Sequence, residues 1–283
     1  IIDSNKFELY WTPKEIDSKD LPTNEEFIKE IDPDYYEPYP KGAAGIDHYR
    51  SLTYTFSGEI PVMINPEFIY SCQMPTGDAP LVAAAPFKLG GWGGLNLVQD
   101  LIDAYQMVDG QDINESSQDY PYPDASVNFE RIGGANQTFS GFTLLASTAR
   151  MYNNREPRFY TTVSYNGSWY ALAERKFEFF KNQKDNDYTH DAPQNGYLVR
   201  KKVYSQDNPK NGSYKWRQMF LYRLAASYLD YAEAVNEAYD NRASREDALK
   251  YVNKVRERAG VRQYTLDAVA ADDAKYIHVD DNQ

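Results

Sequence analysis

Arg217 to Tyr239, RQMFLYRLAASYLDYAEAVNEAY, followed by Ser244 to Gly260, SREDALKYVNKVRERAG, is the stretch that decides the fold of this chain. In the first segment Leu221, Leu224, Ala225, Tyr228, Leu229, Ala232, Val235 and Tyr239 recur at steps of three and four, so one broad stripe of an α-helix is apolar. Its small residues let a second helix come close. The second segment opens with Ser244 and Asp247 at capping-box spacing, carries Ala248, Tyr251, Val252, Val255 and Ala259 on one face, and stops at Gly260. The pattern predicts a helical hairpin over residues 217–261.

Signals upstream are weaker and more mixed. Leu97, Val98, Leu101, Ile102 and Tyr105 make a helical face that ends near Asp109-Gly110. Phe159 to Tyr165 and Ser168 to Leu172 flank Asn166-Gly167, which predicts a β-hairpin. Ile60 to Met74 predicts one or two strands broken by Pro61 and Pro66, with Cys72 packed in the core. Phe27 to Ile31 suggests a helical turn, and the stretch from Asp32 to Pro40, rich in Pro and Tyr, a loop. Residues 111–136 and 181–195 read as irregular surface loops. The expected architecture is mainly α, with tetratricopeptide-like helical hairpins, long irregular loops and a few short strands. One hairpin does not make a repeat array, so residues 1–216 read as a loop-rich ligand-binding region and 217–261 as a docking unit.

Composition narrows the partners. The chain has 283 residues, enough for a substantial core, and its 25 Tyr, 13 Phe and 4 Trp imply an aromatic interior with hydroxyls paired at its edge. A net charge of −12 opposes binding to a nucleic-acid backbone, which needs clustered Lys and Arg. Cys72 is the single cysteine, so there is neither an internal disulfide nor a thiolate metal cluster. No apolar run is long enough to cross a bilayer as a helix.

The hairpin resembles the SusD/RagB family of Bacteroidetes outer-membrane lipoproteins. Tyr231-Ala232-Glu233-Ala234-Val235-Asn236-Glu237 is similar to that family's Y-A-E-A-x-N-E, and Asn253-Lys254-Val255-Arg256-Glu257-Arg258-Ala259-Gly260 to its N-x-V-R-x-R-A-G; Ala226 stands where members usually carry Glu. Asp103-Ala104-Tyr105 through Asp109-Gly110 resembles D-A-Y-x-x-x-D-G, Glu156-Pro157-Arg158-Phe159-Tyr160 resembles D-P-R-F-Y, and Gly196-Tyr197-Leu198-Val199-Arg200-Lys201 resembles G-Y-x-x-R-K. The resemblance implies a non-enzymatic glycan-binding lipoprotein at the cell surface, held to the outer membrane by a lipid anchor. Its partner would be a SusC-like TonB-dependent transporter, to which it delivers oligosaccharide. It further implies a middle section of a longer chain, with leader, lipid-bearing cysteine and first helices before Ile1. Helices of the missing part would cover the stripe of Leu224, Tyr228 and Val235. A peptide-binding member of the same family, a glycoside hydrolase and a structural interaction module are the alternatives.

No catalytic or metal motif competes with that reading. His48, His190 and His278 lie far apart, and neither a G-x-S-x-G elbow nor a phosphate loop is present. Asp109, Asp112, Asn114 and Glu115 form an oxygen-rich cluster that lacks the order of an EF-hand, so it reads as a solvated loop before a Ca2+ site. Glu233 and Glu237, one helical turn apart, read as structural, as do Arg256 and Arg258. For a saccharide the useful side chains are exposed aromatic faces, because sugar rings present apolar C–H surfaces. Trp92, inside Gly90-Gly91-Trp92-Gly93-Gly94, is the first candidate: its neighbours cannot bury it and their backbones can project it, although packing beneath the helix that starts near Leu97 is an equal alternative. Trp11, Tyr120, Tyr122 and Tyr36 follow, with loop anchoring as the competing role for the tyrosines. Trp169 and Trp216 read as packing residues.

Overall fold

The computed structural model describes residues 1–13, 45–75, 78–123, 135–139, 142–186, 191–204, 206–215, 217–267 and 276–279. Helices and short strands alternate along it. Helix α1 (His48–Ser57) is capped by Asp47, whose side chain accepts from the Arg50 amide at 2.8 Å, and ends at Gly58 with φ 90°. Strand β1 (Phe68–Pro75) leads to helix α2 (Asp78–Ala83), and helix α3 (Gln99–Asp103) follows the glycine-rich loop. Strands β2 (Gln137–Phe139) and β3 (Phe142–Leu144) pair with each other. Helix α4 (Pro157–Thr162) runs directly into β4 (Val163–Tyr165), which pairs antiparallel with β7 (Tyr197–Val199); between them β5 (Trp169–Tyr170) pairs with β6 (Arg175–Lys176). Strand β8 (Gln218–Arg223) pairs with β1, and helices α5 (Leu224–Ala238) and α6 (Arg242–Arg258) form the hairpin. Strands β9 (Gln263–Thr265) and β10 (Tyr276–His278) close the described chain as a parallel pair.

The core is aromatic, as the composition requires. Tyr49, Phe142, Tyr152, Phe159, Tyr160, Tyr165 and Tyr197 are buried together around Ile102 and Val163. Tyr152 and Tyr165 meet at 4.4 Å between ring centroids, and Phe159 stacks on Tyr165 at 5.4 Å. Three of the hydroxyls are joined at the edge: Tyr160 donates to the Tyr152 carbonyl at 2.8 Å and Tyr152 to the Tyr197 hydroxyl at 3.1 Å. Arg155, fully buried, donates to the carbonyls of Ile102 and Tyr105 at 2.7 and 2.6 Å, fixing α3 over this cluster.

The helical hairpin forms as the pattern predicts, but shifted at its start. Residues 218–223 are strand, because Met219 to Tyr222 are β-prone residues that find an antiparallel partner in Phe68 to Pro75; Phe220 stacks on Phe68 at 4.8 Å. The cap of the second helix is Asn241, whose side chain accepts from the Ser244 amide at 3.0 Å, so Ser244 is already inside the helix. Its end is where the sequence places it, at Gly260 with φ 73° against His48. Leu224 and Tyr228 are not an open stripe: Leu9, Ile69, Tyr251 and Val255 cover them. The outward face of α5 carries Leu229 and Tyr231 instead.

Other expectations are corrected in the same way. The Asn166-Gly167 turn exists, with Gly167 at φ 91° and the Ser168 amide on the Tyr165 carbonyl at 3.0 Å, yet the flanking strands do not pair across it. β4 finds its partner more than thirty residues onward, and Phe159 to Thr162 are helical. Cys72 lies on a strand but is half-buried rather than in the core. The helix after Leu97 is a single short turn of five residues. Among the described residues a tetratricopeptide array is not apparent: one hairpin stands beside mixed helices and short strands, so this part is less purely α than the sequence suggests. Residues 27–31 and 32–40 lie outside the described part.

Candidate functional site

The glycine-rich loop is held by its own backbone. The Gly91, Trp92, Gly93 and Leu95 amides donate to the carbonyls of Pro86, Val82, Ala85 and Ala83 at 2.8–3.0 Å, and Asn96 Nδ2 caps the Gly93 carbonyl at 3.0 Å. A Cβ on Gly91 would sit 1.9 Å from the Ala85 carbonyl oxygen, and one on Gly90 2.6 Å from the Lys210 amide nitrogen. Glycine is therefore obligatory for the close approach, and Gly90 and Gly93 also take φ of 84° and 58°. With the backbone pinned on one side, the Trp92 side chain is left facing outward, 51 % exposed. Phe87, Leu95 and Val98, close by in sequence, are exposed too.

The remaining aromatic candidates occupy other places. Trp11 is half-buried on the N-terminal segment, its Nε1 donating to Glu8 at 3.1 Å. Tyr120 and Tyr122 are half-buried, with their amides donating to the Ser117 and Ser116 hydroxyls at 3.1 and 2.9 Å; the Tyr122 ring lies 5.5 Å from the Arg155 guanidinium. Tyr36 and Trp216 lie outside the described residues. Trp92 is thus the candidate with the most open face. In the acidic loop, Asp109 accepts from the Ser117 hydroxyl at 2.5 Å and the Gln111 amide at 3.2 Å, and Asp112 from Gln106 at 3.2 Å, so these carboxylates brace the loop. Among the described residues no group of three His, Cys, Asp or Glu is placed to hold a metal ion.

A second feature is a cavity of about 410 Å³ walled by α1, α4, the turn after β7, and the ends of β8 and α6. It is within the size range of small-ligand sites, roughly 300–1,000 Å³. Phe56, Phe142, Trp169 and Tyr170 supply apolar walls, Thr162 and Ser164 hydroxyls, and Arg200, Lys201 and Lys202 the charge. These three cations are on a turn that the backbone makes at some strain, since Lys202 has φ 75°. The Arg200 and Lys201 amides both donate to the Thr162 carbonyl, at 2.7 and 3.3 Å, which fixes the turn over α4. None of them was a sequence candidate. The available signal was an Arg-Lys-Lys run directly after a β-prone segment in a strongly acidic chain.

Beneath the cavity is a buried ionic knot. Glu67 is completely buried and accepts from Arg258 Nη1 at 2.7 Å, from the Tyr10 amide at 3.0 Å, and from Arg223. Burial alone would raise its pKa, but Arg258 and Arg223 outweigh that and hold it below the usual carboxylate value. Arg158 is paired with Glu156, and Arg217 with Asp207 at 2.7 Å. Arg256 donates to the Arg262 carbonyl at 2.6 Å and to Gln106 at 3.1 Å. The arginines of the last helix therefore tie it to the N-terminal segment and to the loop after α3.

A two-stranded ribbon feeding a helical hairpin, packed beside an aromatic core and long loops, defines a fold with solved counterparts. The chain matches the protein BT4246 with TM-score 0.61 at 20 % identity, over 93 % of this chain and 44 % of that one. It matches the SusD-like protein BF3747 of Bacteroides fragilis with TM-score 0.57 at 26 % identity, over 85 % and 44 %. A SusD-like carbohydrate binding protein of the same organism, BF0978, matches with TM-score 0.50 at 21 % identity, over 75 % and 37 %. The SusD family model covers residues 63–280, so the chain belongs to the SusD family. It spans less than half the length of these solved relatives. No curated protein is similar enough to register as a match.

Proposed function

We propose that this chain is the glycan-capturing part of a cell-surface lipoprotein that passes oligosaccharide to a SusC-like TonB-dependent transporter in the outer membrane. Family membership supports the carrier role, and the solved relative described as carbohydrate binding supports a saccharide as cargo. The observation that carries the site is Trp92, an open indole on a loop whose backbone cannot shift. A rigid aromatic face stacks on the C–H side of a pyranose without ordering cost at the moment of capture. Binding rather than hydrolysis suits the second cavity as well. Of its described carboxylates, Asp207 is locked onto Arg217, leaving Glu59 without the second acid that a glycosidase requires.

The test is Trp92→Ala in the full-length protein, read by calorimetry against the glycan that wild type retains on an array. Loss of one stacking platform should weaken affinity about tenfold, or about 1.4 kcal/mol, with the circular dichroism unchanged. Unchanged affinity removes Trp92 from the site. Cross-linking on intact cells should join the protein to a large outer-membrane barrel; recovery without such a partner argues against delivery.

A further inference from the structure

The cavity beside the ionic knot carries charge opposite to that of the molecule. The chain is −12 overall, yet the described residues lining this space include Glu59 and Asp207 as the only acids. Several of its cations are already matched. Arg158 pairs with Glu156, Arg223 and Arg258 share Glu67, and Arg50 pairs with Asp47 at 3.7 Å.

Arg200, Lys201 and Lys202 are different. Among the described residues their charged ends meet ring faces: Arg200 lies 4.3 Å from the Phe142 centroid, Lys201 4.3 Å from Phe56, and Lys202 5.4 Å from Phe220. A ring face offsets part of the desolvation of a cation but leaves its N–H donors unused. Nearby protein, with the like charges of Arg223, Lys202, Arg258 and Arg158, presses the ammonium of Lys201, an exposed residue, down to about 8, and partial burial presses Arg200 down to about 10. Lys201 and Lys202, neighbours on one strained turn, repel each other unless an anion joins them. The opposing acid cannot serve: burial raises Glu59 to about 7, so it is partly protonated at neutral pH.

We propose that the cavity beneath Arg200, Lys201 and Lys202 receives the anionic group, a carboxylate or a sulfate, of an acidic oligosaccharide. The proposal rests on the carrier reading and names the class of its cargo. The Lys201 and Lys202 ammonium groups donate to the anion's oxygens, with Arg200 on the same lining for a neighbouring oxygen of the saccharide, while Phe56, Tyr170 and the hydroxyls of Thr162 and Ser164 offer the surface a sugar ring needs. Since the carboxylate of a uronic acid and a sulfate ester share this chemistry, the experiment distinguishes them.

Two measurements on the full-length protein test it. Thermal unfolding in sodium glucuronate, sodium sulfate and sodium chloride at equal ionic strength reads the anion alone. An array divided into neutral, uronate-bearing and sulfated glycans reads the saccharide. Glucuronate or sulfate should raise Tm above the chloride value, and the array should retain the matching acidic class. Arg200→Gln and Lys201→Gln should each lower acidic-glycan affinity about tenfold, Lys201→Arg should retain it, and all three should keep the wild-type circular dichroism. Retention of neutral glycans alone, with no anion effect on Tm, overturns this inference and leaves the carrier reading intact. If no glycan is retained, both fall, and a Tm response to anions would then mean a free-ion site.

Discussion

At the scale of single residues, Glu67 shows how little of this molecule's stability is separable from its ionic pairs. It is fully buried and shared by Arg223 and Arg258, from strand β8 and helix α6. Arg258→Ala leaves a buried carboxylate half-compensated, and urea unfolding should show a loss on the order of 3–5 kcal/mol. The pH dependence has a definite sign. Because the folded-state pKa of Glu67 is below the ordinary 4.5, its contribution is complete above that value and is lost as pH falls through the lower, folded-state one. Glu67→Gln should therefore flatten the acid limb of the stability curve. A variant as acid-sensitive as wild type would show that the pair contributes nothing at neutral pH.

At the scale of elements, the glycine-rich loop separates two kinds of glycine. Gly91 has no room for a Cβ, whereas one on Gly94 would meet nothing nearer than the Trp92 carbonyl oxygen at 4.0 Å. Gly91→Ala should cost about 1–3 kcal/mol and displace the indole, visible in Trp fluorescence, while Gly94→Ala should stay within about 0.5 kcal/mol of wild type. Equal effects would mean that the loop is not pinned as described. The sequence showed only half of this element: four glycines cannot bury the indole with their own side chains, but whether the helix after Leu97 would cover it was left to the backbone contacts with residues 82–86. Elsewhere local pattern ran out. Met219 to Tyr222 suit a helix and a strand equally, and only Phe68, some 150 residues earlier, decides between them. The Asn166-Gly167 turn predicts a bend, but not that β4 would pair with β7. The hairpin was readable because its contacts are close in sequence. The cavity was not, since Glu59, Arg158, Arg200, Arg223 and Arg258 meet only in three dimensions.

At the scale of the whole molecule, charge is sorted rather than mixed. A chain of −12 and pI near 4.8 collects cations on one internal wall and spends most of its described buried acids on arginine. The outer charge keeps copies of the protein apart, so light scattering should show self-association rising as pH approaches 4.8 and receding at neutral pH. Constant scattering across that range would mean that the repulsion is negligible. No described helix is long and apolar enough to cross a membrane.

Strand β8 ends at Arg223 and helix α5 begins at Leu224, with no residue between them. The backbone passes from extended to helical at that single residue, with Arg223 at φ −141° and ψ 160°. Arg223, reaching Glu67 from that junction, makes one buried carboxylate the common anchor of the ribbon, the last helix and the N-terminal segment.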